Sequence, residues 1–313
     1  MDHYIFVITN NDNTRYSLLW RIEDNIAIRA GVPNAKDHAG CYYEADSPEA
    51  LLEAMRNGPT ASSTIENIEF HKTELAPGEY YPRIARPNDQ HWHESPGDNP
   101  GESAVKKVIA ISLGQLNVLS RQLDHICQVV HPSEATFSTY GHSIRNLLIL
   151  ACTEVETHWR GILSSNGYNK EIYRTNDYVL LLDAMKLNHY AVGFPSFPWL
   201  KPIRPFSNWD AKAPTASLSW YSSYNAVKHN REGEFAKGTL EHAFEAVAAC
   251  AIMMAAQFGL HFTGWSASES SNFFDFEELP KWTPSDVYTF PYDRAYFEKF
   301  ENLFLPVNYS FNR

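Results

Sequence analysis

Strand-like apolar runs alternate with turn signals along the first part of the chain. Residues 4–9 and 16–22 are rich in Ile, Leu, Val and aromatic side chains, and the polar run 10–13 separates them. Runs of this composition, bounded by Asn and Asp, are typical of strands joined by a turn. The first 85 residues therefore predict a small N-terminal α/β module.

The sequence marks both ends of one helix in this module. Ser47 and Pro48 stand where a helix would begin, and Gly58 follows its end. Serine caps and early prolines start helices, and glycine commonly follows their last turn. Further strands are predicted near residues 65–70 and 80–85.

In the middle of the chain the apolar residues recur at alternating spacings of three and four. Residues 104–130 predict a long amphipathic helix that ends before Pro132. Residues 137–163 predict a second helix. Because apolar side chains extend around much of its surface, we expect it at the centre of a bundle. Other helices are predicted at residues 178–187, 220–231 and 234–258. Together they predict an antiparallel helical bundle.

Segments rich in proline, glycine and polar residues set the predicted domain boundaries. Residues 86–103 are predicted to be a linker between the module at 1–85 and the bundle at 104–263. Residues 264–313 are irregular but aromatic, and they are predicted to dock on the body as a C-terminal extension. The predicted fold class is therefore α+β.

Composition narrows the classes of function. The chain has 313 residues, 44% of them hydrophobic, and a formal net charge of -11. That charge argues against nonspecific coating of nucleic acid, which needs many basic residues, although a local basic site is compatible with it. The four cysteines are far apart and predict reduced thiols rather than disulfides or a zinc site. No secretory signal is evident, and the longest apolar run, 246–256, is too short to span a bilayer. We therefore expect a cytoplasmic protein with no membrane partner.

Residues 220–231 contain most of the candidate catalytic and phosphate-binding side chains. On a helical wheel it separates into two faces. One face carries Trp220, Tyr224, Val227 and Arg231, and the other carries Tyr221, Asn225, Lys228 and His229. Because Asn225 and His229 are four residues apart, they can reach the same phosphate or water. One face is predicted to pack while the other carries the site.

His229 is the predicted catalytic residue, since histidine exchanges protons near neutral pH. Lys228, Asn225 and Arg231 are predicted to handle phosphate, with Tyr221 beside them. Metal-free cleavage of RNA needs a group to activate the 2′-hydroxyl, one to stabilise the phosphorane and one to protonate the leaving oxygen. The alternative is structural: Arg231 stacks on an aromatic ring and His229 meets a buried carbonyl.

Glu154 and His158 are the predicted partners on the central helix. They are four residues apart on the shoulder of its apolar face, where a partly buried carboxylate needs a mate. Glu154 is predicted to pair with His229, Lys228 or Arg231 and to orient the imidazole, and His158 is a further ligand-binding candidate. The alternative is a helix-to-helix salt bridge without chemistry. Arg145 and Glu156, on the opposite shoulder, are predicted to form a second pair, either across the bundle or with the N-terminal module.

The Asn-x-x-Lys-His-x-Arg segment that begins at Asn225, followed by an Ala-rich final helix, resembles the HEPN superfamily of helical-bundle proteins found in bacterial toxins, defence systems and RNA-processing nucleases. The resemblance covers residues 102–259. Active HEPN ribonucleases carry Arg, often Asn next, and then His a few residues on, with Arg and His meeting across a dimer. Asn225 and His229 match the second and last positions, whereas Tyr224 stands where Arg is expected. The resemblance implies a helical bundle, an RNA ligand and a homodimer.

Two weaker signals lie outside the motif. Residues 91–94 contain metal-ligand side chains, but a linker offers them no supporting shell, and no metal or cofactor is predicted. The proline-rich loop 194–206 interleaves aromatics with Lys201 and Arg204. It either stacks bases and holds phosphates or is a stiff loop that covers the end of the bundle.

These observations favour a HEPN-like protein that binds RNA or a nucleotide. The more specific hypothesis is a metal-independent endoribonuclease of bacterial toxin, toxin-antitoxin or antiphage-defence type. The competing hypothesis is a non-catalytic interaction or scaffold protein. In that case the polar cluster locks the bundle, and the N-terminal module or the C-terminal extension binds a protein partner.

Overall fold

A computed structural model describes residues 2–58, 65–89, 97–292 and 303–311. Helices and antiparallel strands both form these ranges, which confirms the α+β class. The chain divides into two compact units. The first contains Met1–Tyr80, Arg86–Gly97 and Trp282–Val307, and the second contains Tyr81–Ala85, Asp98–Lys281 and Asn308–Arg313.

The helices, in chain order, are α1 (Pro48–Arg56), α2 (Lys106–Cys127), α3 (His142–Ser165), α4 (Thr175–Tyr178), α5 (Leu181–Ala184), α6 (Ser219–His229), α7 (Arg231–Glu234), α8 (Leu240–Phe258) and α9 (Ser270–Phe273). The strands are β1 (Asp2–Asn10), β2 (Arg15–Glu23), β3 (Ile26–Arg29), β4 (Tyr42–Glu44), β5 (Ile65–Lys72), β6 (Glu79–Tyr80), β7 (Ala191–Gly193), β8 (Asp275–Glu278) and β9 (Leu305–Pro306).

The main sheet of the first unit has the strand order β4-β3-β2-β1-β5. All of these neighbours pair antiparallel. The four-residue link between β1 and β2 is too short for a crossover connection, so that pair has to be antiparallel. Successive side chains point to opposite faces. Phe6 and Trp20 accordingly pack with Met55 of α1, and Ile5 packs with Val287. The module is thus α+β in type, and not the α/β module that the sequence predicted.

Two local features of the first 85 residues show how the sequence sets the backbone. Helix α1 begins as its punctuation predicts, with the Ser47 hydroxyl accepting a hydrogen bond from the Ala50 N–H at 3.2 Å. The strand predicted at 80–85 ends instead at Tyr80. Arg83 adopts a left-handed conformation with φ 59°, which turns the chain out of the extended direction.

The second unit is built on four packed helices, α2, α3, α6 and α8. Helix α3 packs against the other three, so its predicted central place is confirmed by the contacts of the described chain. Helix α8 is buried nearly all round, as expected from its Ala-rich and apolar sequence. No helix in the described ranges is long and apolar enough to cross a membrane.

An aromatic cluster fills the end of this unit near α6. Trp159 of α3 is fully buried, and its ring lies 5.0 Å from Trp209, 5.0 Å from Tyr178 and 5.4 Å from Tyr221. The indole N–H of Trp220 donates to the Pro205 carbonyl at 2.9 Å. The proline-rich loop therefore covers the bundle with several of its aromatics buried, in line with the second interpretation of its sequence.

Several boundaries differ from the predicted ones. Helix α3 begins at His142 and not at 137, because residues 133–139 form turns closed by Ser133 and Thr136. Helix α8 begins at Leu240, where the Thr239 hydroxyl caps it. The predicted C-terminal extension is divided: residues 264–281 and 308–313 belong to the second unit, and Trp282–Val307 belongs to the first.

Candidate functional site

Helix α6 carries most of the predicted site, and its two faces are those expected from the helical wheel. Trp220, Tyr224 and Val227 are buried. On the other face Tyr221 is also buried, Asn225 is half-buried, and Lys228 and His229 are exposed. The helix ends at His229, so Arg231 lies beyond it, exposed in the short helix α7. The predicted packing of Arg231 with Trp220 and Tyr224 does not occur, because the chain turns at Asn230.

The carboxyl end of α6 is held by Arg145 of α3. Its guanidinium donates to the Val227 carbonyl, with Nη2 at 3.0 Å. A cation at this end satisfies a free carbonyl and complements the helix dipole. Lys228 and His229 are thereby presented to solvent on a fixed last turn.

The carboxylate that meets α6 is Glu156 and not Glu154. The Tyr221 hydroxyl donates to Glu156 Oε1 at 2.6 Å, and Lys228 Nζ donates to the Tyr224 hydroxyl at 2.7 Å. Burial, together with Glu156, raises the pKa of Tyr221, so it stays a neutral phenol. The hydrogen bond to Tyr224 raises the pKa of Lys228, which therefore remains an ammonium at neutral pH.

A groove of about 520 Å³ opens beside this face of α6. Its walls include Glu156, Arg160, Arg174, Tyr178, Tyr221 and Asn225. Arg160 and Arg174 are exposed, and within the described residues neither guanidinium forms a salt bridge. Arg160 Nε donates to the Glu156 carbonyl of its own helix at 3.4 Å, which leaves its terminal nitrogens for a ligand. Burial raises the pKa of Tyr178 to about 12, so this ring is also neutral. The groove thus joins two available guanidiniums to tyrosine rings and an amide.

Glu154 and His158 belong to a different, buried cluster. His158 Nε2 lies 3.4 Å from Glu154 Oε1, and Gln257 Nε2 lies 3.0 Å from His158 Nδ1. Gln257 Oε1 accepts from Arg83 Nε at 2.8 Å. The predicted pairing of Glu154 with His229, Lys228 or Arg231 is not present: Glu154 lies beside His158 of its own helix, and the cation that acts on its carboxylate is Arg83.

Burial decides the charges of this cluster. It lowers the pKa of His158 to about 3, with the Arg83 charge adding to the effect, so the imidazole is neutral. Burial also lowers the pKa of Arg83 to about 10, opposed by the charge of Glu154. Burial raises the pKa of Glu154, while Ser112 and Arg83 oppose that rise. Arg83 is thus a buried cation that donates to Gln257 and whose charge is favoured by the nearby Glu154 carboxylate.

Gly161 makes room for that cation. A Cβ atom built on Gly161 would lie 2.0 Å from Nη1 of Arg83. Only glycine at this position lets the guanidinium lie against α3. Glu154, His158 and Gly161 fall on one face of α3 at about 100° per residue.

Sequence reasoning missed Arg83, Gln257, Arg160 and Arg174. A signal existed for Gln257, because it is a lone amide within an apolar helix and a buried amide needs partners. Arg160 shares the face of α3 that carries Arg145 and Glu156. Nothing local marks Arg174 or the turn at Arg83, whose contacts come from distant parts of the chain.

No group of three or more His, Cys, Asp or Glu side chains that could hold a metal ion occurs in the ranges that the structure describes. The histidines considered at 91–94 lie outside those ranges. The cysteines are free and buried. The thiols Cys152 and Cys250 have pKa values raised by burial, so they are inert rather than nucleophilic.

Comparisons with models of protein families, with curated proteins and with solved structures found no match. A function for this chain must therefore be argued from its two polar clusters, one buried around Arg83 and one open beside α6.

The Arg83 cluster predicts a large stability effect at Gln257. Replacing Gln257 by Leu keeps the volume but leaves Arg83 and His158 without their amide partner in a buried site. We expect a loss of about 2–4 kcal/mol in the free energy of unfolding, measured by urea denaturation. The matched control is Gln128→Leu, at an exposed position on the surface after α2, with an expected change within about 0.5 kcal/mol. Equal effects of the two substitutions would contradict a structural role for the amide.

The pKa of His158 predicts a specific pH dependence of stability. The folded pKa of about 3 lies below the ordinary value, so the unfolded chain binds a proton that the folded chain does not. This contribution to stability is present above about pH 6.5 and is lost as the pH falls toward 3, by at most about 1.4 kcal/mol per pH unit. His158→Gln should flatten that slope, measured by denaturation at several pH values. His125→Gln, at an exposed site, should leave it unchanged, and a variant at position 158 with the wild-type slope would refute the assignment.

Proposed function

We propose that the chain is a HEPN-like protein that binds RNA or a nucleotide in the groove beside α6. The observation that carries the proposal is the pair of available guanidiniums, Arg160 and Arg174, in one groove with Tyr221 and Asn225 of the predicted site. Guanidiniums bind phosphate through paired N–H donors, and the half-buried ring of Tyr173, which also lines the groove, offers a surface on which a base can stack.

The charge balance of the groove supports an anionic ligand. Glu156 also lines the groove, but its Oε1 already accepts the Tyr221 hydroxyl. The basic surface continues along α6 to Lys228 and His229, since residues three and four positions beyond Asn225 lie on the same side of the helix. This local basic strip is compatible with a chain of net charge -11, because it is the site and not the whole surface that meets phosphate.

RNA cleavage forms the second part of the proposal, and it assigns His229 as the catalytic residue. His229 takes the proton of the 2′-hydroxyl, the 2′-oxygen attacks the adjacent phosphorus, and the bond from phosphorus to the 5′-oxygen breaks. Lys228 remains an ammonium and stabilises the phosphorane charge. The proton for the leaving oxygen then comes from His229 of a second copy, in agreement with the homodimer that the resemblance implies. Glu154 takes no part, because its partners are Arg83 and His158.

The non-catalytic alternative draws on the Arg83 cluster. Glu154 and His158, two of the predicted site residues, lie in the buried cluster around Arg83, where the Glu154 charge favours the cation and His158 contacts Gln257, as expected for a cluster that locks the bundle. Binding and cleavage are therefore tested separately.

For binding, we expect a short single-stranded RNA, labelled with fluorescein, to bind the wild-type chain with an affinity that falls as salt rises. Arg160→Gln and Arg174→Gln should each weaken binding about tenfold, because each removes a charge-assisted contact to phosphate. Each should also reduce the slope of log affinity against log salt by about 0.7. Fluorescence anisotropy at several salt concentrations measures both quantities.

The matched control for binding is Arg121→Gln. Arg121 is an exposed arginine of α2 that pairs with Glu269 and does not line the groove. Its substitution should leave the affinity unchanged. Equal losses for all three substitutions would place the binding outside the groove and contradict the proposal.

For cleavage, we expect the purified chain to cut single-stranded RNA in the presence of EDTA, leaving a 2′,3′-cyclic phosphate. His229→Ala should lower the rate by about 100-fold or more, since general acid-base catalysis is worth that much. The control is His125→Ala, at an exposed site of α2, which should cut at the wild-type rate. RNA that is bound but left intact by the folded wild type would reject the nuclease and leave a binding protein.

A further inference from the structure

A second groove, of about 700 Å³, lies on another side of the helical unit. It is walled by the turn at residues 133–138, the loop at residues 199–207 and the first turns of α8. The side chains that matter for its chemistry are Phe137, Trp199, Lys201, Arg204, Glu241 and Glu245. None of the residues of the RNA proposal lines it.

The two basic side chains of this groove already have carboxylate partners. Lys201 Nζ lies 2.9 Å from Glu134 Oε1, and Arg204 forms a two-point contact with Glu278. The interpretation of this loop as a phosphate holder is therefore disfavoured. A phosphate would have to displace a carboxylate from each cation.

The carboxylates of α8 are in the opposite situation. Glu241 and Glu245 are four residues apart and face the groove, and no cation lies within salt-bridge distance of either one in the described ranges. Glu245 is half-buried, and within the described part of the chain its carboxylate accepts one hydrogen bond, from the Ser219 hydroxyl at 3.3 Å. The groove is thus left with negative charge that has no partner.

The aromatic wall adds a second feature that suits a cation. Trp199 is 53% exposed, although its indole N–H donates to the Pro132 carbonyl at 2.7 Å and its ring stacks on His131. A large aromatic side chain held in place yet open to solvent offers a π-face to a positive group. Phe137, Leu200 and Ile203 extend the apolar surface.

We propose that this groove binds a small organic cation, a guanidinium or ammonium group on an apolar stem. The charged group lies between the Glu241 and Glu245 carboxylates, and the stem lies along Trp199 and Phe137. The proposal is independent of RNA binding, since it uses other residues and a ligand of opposite charge.

The ionisation of Glu245 provides a signature that separates a cation from an anion. Burial, with the charge of Glu241 adding to it, raises the pKa of Glu245 to about 7. A cation favours the ionised carboxylate, so its binding releases a proton and tightens as the pH rises through 7. An anion would show the reverse. The charged and titratable groups that face Glu245 from its surroundings are Glu241 on α8, Cys152 on α3, Glu134 on the turn, and Lys201 and Arg204 on the loop.

The test is calorimetric titration of the full chain with agmatine, and in parallel with a capped Gly-Arg-Gly peptide, at pH 6 and pH 8. The ionised fraction of Glu245 rises about tenfold over this range for a pKa of about 7, so we expect an affinity gain of about that factor. Buffers with different ionisation enthalpies should report proton release at pH 7. Tighter binding of agmatine assigns the site to free amines, and tighter binding of the peptide assigns it to an arginine side chain; both outcomes support the proposed chemistry.

Glu245→Gln should remove the pH dependence and weaken binding about tenfold, Glu241→Gln should weaken it severalfold with the pH dependence retained, and Trp199→Ala should weaken it severalfold. Glu232→Gln, at an exposed position of α7 outside the groove, is the matched control and should bind as the wild type does. Circular dichroism checks that each variant is folded. If Glu245→Gln does not fold, the substitutions at the exposed positions 199 and 241 still test the proposal. Absence of saturable binding by the folded wild type at pH 8, or tighter binding at pH 6, would overturn the proposal.

Discussion

A buried guanidinium must be paired, and the pairing of Arg83 is the constraint on which the helical unit depends. Arg83 reaches its place only through a left-handed backbone turn, and it fits against α3 only because Gly161 has no side chain. Its Nε donates to Gln257 of α8, and the Glu154 carboxylate of α3 opposes the effect of burial on its charge. Two helices far apart in sequence are thus fixed to one cation. Because the partners are hydrogen-bonding groups with defined directions, the cluster fixes how α3 and α8 are rotated about their own axes, which apolar packing leaves less well determined.

The rotation of α3 then decides what meets α6. At about 100° per residue, Glu156 and Arg160 lie on the opposite side of α3 from Glu154 and His158. Once the Glu154 side faces Arg83, the Glu156 side must face α6, where Glu156 accepts the Tyr221 hydroxyl and Arg160 enters the groove. Arg145, on that same side, caps α6 at Val227. The buried cluster is therefore structural, but it positions the open one, and this division explains why a helix with two i, i+4 polar sets carries only one candidate binding surface.

The periodicity of apolar residues predicted the strands and helices whose own side chains are buried. The strands around residues 4–9 and 16–22, the long helices and the buried face of α6 all follow from periodicity, since the side chains that show the period are the ones that pack. The Glu154 and His158 pair was predictable for the same reason, because the helix itself places them together. Their partner was not, because Arg83 lies in a turn whose conformation has no sequence signature. Arg83 and Gln257 are 174 residues apart. Arg174 reaches the groove only because of the path that the chain takes after α3. The antiparallel pairing of the N-terminal sheet was not predicted from the sequence either.

The proposed position of bound RNA is the groove between Arg160, Arg174 and α6. Photo-crosslinking of single-stranded RNA containing 4-thiouridine, with mass spectrometry of the attached peptides, locates the RNA on the chain. We predict cross-links at Tyr173, which lines the groove and is the more accessible of its tyrosines because Tyr178 and Tyr221 are buried, and in the peptide that contains Asn225. These cross-links should disappear when Arg160 and Arg174 are both replaced by Gln. Cross-links found only on residues outside the groove, or retained in full by the double variant, would contradict the account.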